Sequence, residues 1–221
     1  MAQSPIATTV LLHLGPVNIT RPVVTTWAIL LALALASRLL TRRLAMRPTR
    51  GQAILELIVV GIMGQIEEVI RKPPRPFLPL LGTLFIFLVA ANVSGVLPGV
   101  QAPTATLETP AALAFIVFIA VHFHGVRSRG VFGYLASFAQ PKLIMLPLNL
   151  VSEITRTFSM MVRLFGNVMS GEFVVALIIG LAGLFVPVPL MALEILVGFV
   201  QAYIFTVLAT VFIGAAVDEA A

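Results

Sequence analysis

Arg163 sits near the middle of a long apolar stretch, Leu143–Leu184, with no carboxylate beside it in the sequence. A charge at the centre of a bilayer costs about 2.5–3.5 kcal/mol on insertion scales, so it is kept where it faces water, a cavity or a counter-charge. Helical spacing of three or four residues puts Ser152, Arg156, Ser159, Arg163, Asn167 and Ser170 close to one face. A polar stripe on an apolar helix cannot look at lipid; it lines water, a partner helix or an ion path. A structural arginine paired inside the bundle is the alternative reading.

Two carboxylates lie further along. Glu172 is about 13 Å beyond Arg163 on the helix axis and roughly half a turn round it. Glu194 and Gln201 share a face of the next apolar stretch, Pro189–Ala216, with Gly198 between them. A turn at Val186–Pro189 makes these two stretches antiparallel. Glu172 and Glu194 then fall in the outward half, with Gln201 nearer the depth of Arg163. Two carboxylates that meet in a low-dielectric site cannot both ionise cheaply, and such a pair can pass a proton. Separate satisfaction by hydroxyls or backbone remains the alternative. Glu153, one turn from Arg156 and Thr157, suits an interfacial ion pair or an inner exit path.

The composition decides what surrounds these groups. The chain has 221 residues, 59% hydrophobic and 10% charged, against about 45–50% and about 25% in a soluble domain. An all-α membrane protein of one domain, residues 1–221, is therefore expected. Spans long enough to cross are Pro22–Leu40, Phe77–Leu97, Pro110–His124, Leu143–Leu184 and Pro189–Ala216. The third is short, and the fourth is long enough to require tilt. Residues 52–71 place Ile54, Leu57, Ile58, Gly61, Ile62 and Gln65 on one side, with Glu56, Glu67 and Glu68 as polar content, which predicts an amphipathic interfacial or partner-facing helix on the cytoplasmic side. The prolines of Lys72–Pro76 end it.

Basic residues cluster in Arg38–Arg75 and Gly125–Lys142, which by the positive-inside rule places the N-terminus outside and the C-terminus in the cytoplasm. Topology thus accounts for the net charge of +5 without a nucleic-acid partner. No cleaved signal peptide is expected, because the basic cluster follows the first apolar run. Without cysteine, disulfides and thiolate sites are excluded.

The segment Ser159–Glu172, with Arg-Leu-Phe-Gly-Asn followed by Gly-Glu, resembles subunit a of the rotary F-type ATP synthases. Further matches are Gly82-Thr83-Leu84-Phe85, Asn92-Val93-Ser94-Gly95, Pro98-Gly99, Ala102–Ala105 and Gln201–Leu208. The resemblance implies a multi-pass stator subunit of a prokaryotic plasma membrane, working in proton or sodium transport coupled to ATP synthesis or hydrolysis. It also implies a c-subunit ring, b-type peripheral stalk subunits and the F1 sector as partners. In that reading Arg163 faces the ring, where it keeps two half-channels from short-circuiting. Asn167 and Gln201 match polar positions beside the arginine, Glu172 and Glu194 match acid or histidine positions of the outer channel, and Glu153 and Arg156 match the cytoplasmic end. Both outer positions are Glu here, and Thr106 and Glu108 stand where relatives often have Asp and then Asn. These departures fit a divergent or sodium-translocating branch.

No cofactor or metal is expected. His122 and His124 point to different helix faces, and no pair of histidines is placed for haem. No phosphate-binding loop is present, so nucleotide chemistry belongs to other subunits. Two rival functions are open to the same residues. A secondary transporter would show repeated, interrupted halves, and a plain membrane anchor would leave the stripe unexplained.

Overall fold

The computed structural model describes residues 10–14, 17–42, 50–97, 100–138, 144–183 and 186–218. Arg43, Arg47, Pro98, Gly99, Lys142 and Glu219 lie outside them. A short antiparallel hairpin, β1 (Val10–Leu14) and β2 (Val17–Thr20), leads into α1 (Arg21–Thr41). The sequence reading did not include this hairpin. Pro22 starts α1 at a position whose missing N–H costs nothing. Then come α2 (Arg50–Ile70), α3 (Leu78–Ser94), a single 3-10 turn at Pro103–Ala105, α4 (Glu108–Phe138), α5 (Met145–Ala182) and α6 (Val188–Asp218). The body is thus all-α. α1, α4, α5 and α6 are long and apolar enough to cross a membrane, and α3 is a shorter apolar helix.

The core forms around α6. Ala202, Phe205, Ala209 and Ile213 recur at three- and four-residue spacing and are at most 2% exposed, so one stripe of α6 meets the other helices. Leu81, Leu84 and Leu88 of α3, Val117 and Val121 of α4, and Leu164 of α5 complete that core. Gly198 lets α3 and α6 approach closely: a Cβ there would lie 2.8 Å from the Cβ of Asn92.

α2 divides along its length. Ile66 and Ile70 are buried in the core, the Tyr203 hydroxyl donates to Gln65 Oε1 at 2.6 Å, and Lys72 Nζ donates to the Val217 carbonyl at 3.1 Å. Ile54, Leu57 and Val60 stay exposed. Its second half is therefore held by α6.

The third span differs from its expectation. The helix runs beyond His124 to Phe138, with a break at Gly130 (φ 74°, ψ 164°). Past the break the chain returns: the Tyr134 ring lies against Gly125, and the Phe138 ring centroid is 6.4 Å from that of His122. A straight helix would separate those last two residues by about 24 Å. The charges Arg127 and Arg129 made residues 125–142 read as a loop. The spacing of Tyr134 and Phe138, which lets both rings pack on His122, outweighs them. Replacing Gly130 by Ala is expected to cost about 1–3 kcal/mol, seen as a lower thermal denaturation midpoint of the purified protein.

Candidate functional site: a cleft between the last two helices

α5 and α6 run antiparallel, as three contacts stepping in opposite directions along the chain demonstrate. The Glu194 carboxylate lies against Gly171. Asn167 Nδ2 donates to Gln201 Oε1 at 2.7 Å. The Arg156 guanidinium carbon stands 4.6 Å from the centroid of the Phe212 ring. Close approach at Gly171 is possible only without a side chain, because a Cβ there would meet the Glu194 carboxylate.

These contacts enclose a cleft of about 280 Å³ lined in part by Asn92, Asn167, Glu172, Glu194 and Gln201. Gln201 is 3% exposed, and its Nε2 has no acceptor among the described residues, so a buried amide NH2 group beside the cleft is unused. Groups of this kind are ordinarily satisfied. Glu172 is half-buried, and its Oε1 accepts from the Ala102 backbone N–H at 3.2 Å.

The loop that supplies this N–H is itself tied down. Thr104 Oγ1 donates to Asn92 Oδ1 at 2.8 Å, and Asn92 Nδ2 donates to the Gly198 carbonyl at 2.8 Å. Asn92 and Thr104 are buried. Sequence reasoning did not single out these two for a role. An asparagine amid the apolar residues of a span was the available signal, since burying an amide without partners is costly.

The stripe on α5 stands as its spacing predicts, but the structure leaves it uncovered. Ser152, Ser159, Arg163, Asn167 and Ser170 are all exposed. Among the described residues Arg163 has no ion pair or hydrogen bond. Little of the apolar length of α5 is buried within this chain. Toward the other end, Arg156 pairs with Glu153 at 3.4 Å. Both line a smaller, mainly polar cavity of about 150 Å³ with Tyr134, Asn149 and Ser152. Asn149 Nδ2 donates to the Phe138 carbonyl at 3.0 Å, fixing the returning segment beside this cavity.

The histidines have local partners. The Nδ1 atoms of His122 and His124 each lie 2.8 Å from the carbonyl one turn back, of Phe118 and Ala120. Among the helix glycines, Gly95, Gly171 and Gly198 have neighbours against them, whereas Gly166, Gly180 and Gly183 face open space.

Apolar helices long enough to cross a bilayer, with two carboxylates and two amides gathered at a cleft between the last two, define a multi-pass membrane protein. Residues 23–214 match the family model described as ATP synthase A chain. The chain is 72% identical over 221 residues to an ATP synthase subunit a 2 of Bradyrhizobium, covering all of this chain and 99% of that protein. It is 46% identical to an ATP synthase subunit a 1 of Hahella chejuensis, covering 97% of this chain and 91% of that one. It is 47% identical to an ATP synthase subunit a 1 of Chlorobaculum parvum, covering 94% and 92%. The chain belongs to the ATP synthase subunit a family, membrane-sector subunits that act in ion translocation within a complex of Fo and F1 sectors.

Proposed function

We propose that this chain provides two ion half-channels on either side of Arg163, and that Arg163 faces a ring of c subunits carrying the translocated proton or sodium ion. One observation carries the reading: Arg163 stands on an exposed polar stripe with no partner among the described residues. An intramembrane charge without an internal counter-charge is aimed at another surface. A carboxylate on a rotor helix is the natural complement, because a fixed cation favours its deprotonated form. The Asn167–Gln201 pair borders the arginine one turn away.

The outer half-channel is the cleft with Glu172 and Glu194, and the inner one is the polar cavity at Glu153 and Arg156. Ser159 lies on the stripe between Arg156 and Arg163. The membrane field supplies the drive, roughly 2.3 kcal/mol per charge per 100 mV. The N-terminus lies outside a prokaryotic plasma membrane and the C-terminus inside. The b-type stalk subunits and F1 hold the chain against rotation.

Because the chain has no cysteine, introduced thiols report cleanly. A Ser159→Cys variant is expected to crosslink to cysteines in the ion-carrying helix of the ring, and a Phe115→Cys variant on exposed α4 is not. No crosslink from Ser159, or equal crosslinking from both, contradicts the ring-facing stripe. Glu172→Gln and Glu194→Gln are each expected to slow ATP-driven pumping severalfold in vesicles while assembly is retained. Unchanged rates in both remove them from the path.

A further inference from the structure

The break at Gly130 folds α4 back on itself. Tyr134 lies against Gly125 and the Phe138 ring reaches that of His122, so positions about equally distant from Gly130 meet. Residues 131–138 thus form a returning limb about 12 Å long beside the end of the span. The turn of this hairpin carries Arg127 and Arg129. Arg127 is exposed and has no ion pair among the described residues. No acidic residue occurs between Glu108 and Glu153.

The limb is apolar on both sides. Tyr134 and Phe138 pack inward on His122, whereas Phe132 is 90% exposed, Leu135 61% and Val131 56%. A contiguous apolar patch of this kind marks a membrane or partner contact. Because the limb is helical, its backbone groups are paired and can enter hydrocarbon. None of the three exposed side chains, nor Arg127, lines the cavity at Glu153 and Arg156.

We propose that this hairpin is an interfacial anchor: Val131, Phe132 and Leu135 dip into the cytoplasmic leaflet, and the basic turn at Arg127 gathers anionic phospholipid headgroups. Aromatic residues beside basic ones at the end of a span are the pattern of the bilayer interface. Interfacial segments bury their apolar face by about 5–10 Å, which suits a limb of this length. The limb returns alongside a span and therefore lies at bilayer depth, where lipid is the neighbour. Positive charge without an acidic counterpart at its edge selects the anionic lipids. Only the sidedness is taken from the function proposed above.

The test uses the whole complex, with Phe132→Cys or Leu135→Cys carrying a bimane label, in phosphatidylcholine vesicles with a minority of phosphatidylglycerol. The complex without the introduced cysteine sets the background. Acyl-chain-brominated lipids are expected to quench both labels severalfold and aqueous iodide to quench them little, with the reverse for a label at Ser128→Cys on the turn. With bromine on the phosphatidylglycerol alone, quenching is expected to exceed that lipid's share of the bilayer. Arg127→Gln is expected to lower its local concentration about fivefold, and Arg127→Lys to keep it.

Iodide quenching at Phe132→Cys and Leu135→Cys without bromolipid quenching overturns the anchor. Labels shielded from both quenchers put another subunit on this face and overturn it equally. Bromolipid quenching without preference for the anionic lipid removes the role of Arg127. These results leave the half-channel reading standing, whereas a Ser128→Cys label reached by iodide only from the face opposite F1 overturns the topology that both share.

Discussion

Replacing Arg163 by alanine is expected to abolish ATP-driven ion pumping in membrane vesicles while the complex still assembles. The separation of the two effects follows from the position of the side chain. Arg163 is exposed on α5 and makes no ion pair or hydrogen bond among the described residues, so its removal leaves no internal partner unsatisfied. Next to it Leu164 is fully buried in the core and keeps the helix docked. What is lost is a fixed positive charge in a low-dielectric surrounding, where interactions with a carboxylate are far stronger than in water. Pumping measured by an ion-sensitive dye, together with recovery of the complex on purification, checks both halves. Undiminished pumping removes the stator reading, and failed assembly with nothing left to pump assigns Arg163 a structural role instead.

The second large effect is expected at Asn92. Asn92→Leu keeps about the same size and removes both hydrogen-bonding ends of the amide. The Thr104 hydroxyl then loses its acceptor in buried surroundings, while the Gly198 carbonyl, in the middle of α6, loses a second donor and keeps the one from its own helix. A buried hydroxyl left unsatisfied costs about 1–3 kcal/mol. The loop that carries the Ala102 N–H is freed, so Glu172 loses a defined partner as well. A lower thermal midpoint of the solubilised complex and slower pumping are expected together. Thr104→Ser preserves the hydroxyl and is expected to leave both nearly unchanged. A stable, fully active Asn92→Leu complex would show that these hydrogen bonds are dispensable.

The sequence alone determined the membrane class, the helices and the stripe. Those depend on local properties: apolar length against bilayer thickness, and the three- to four-residue period that collects Arg156, Arg163 and Asn167 on one face. The same locality let the segment Ser159–Glu172 point to its family. Helix ends were less legible where charge and packing disagree. The returning segment after Gly130 is the example, because ring contacts between Tyr134, Phe138 and His122 are long in geometry and invisible in a charge pattern. The hairpin before α1 was likewise missed.

Tertiary structure alone decided what lies across from each side chain. It set Asn167 on Gln201, laid the Glu194 carboxylate on Gly171, and tied Asn92 to Thr104 and Gly198. These facts join separate helices, and no periodicity within one helix encodes the rotation and register of its neighbour. For Arg163 a costly charge is legible in the sequence, and the fold left it uncovered: core packing turned Leu164 inward, so the adjacent arginine faces out of the chain.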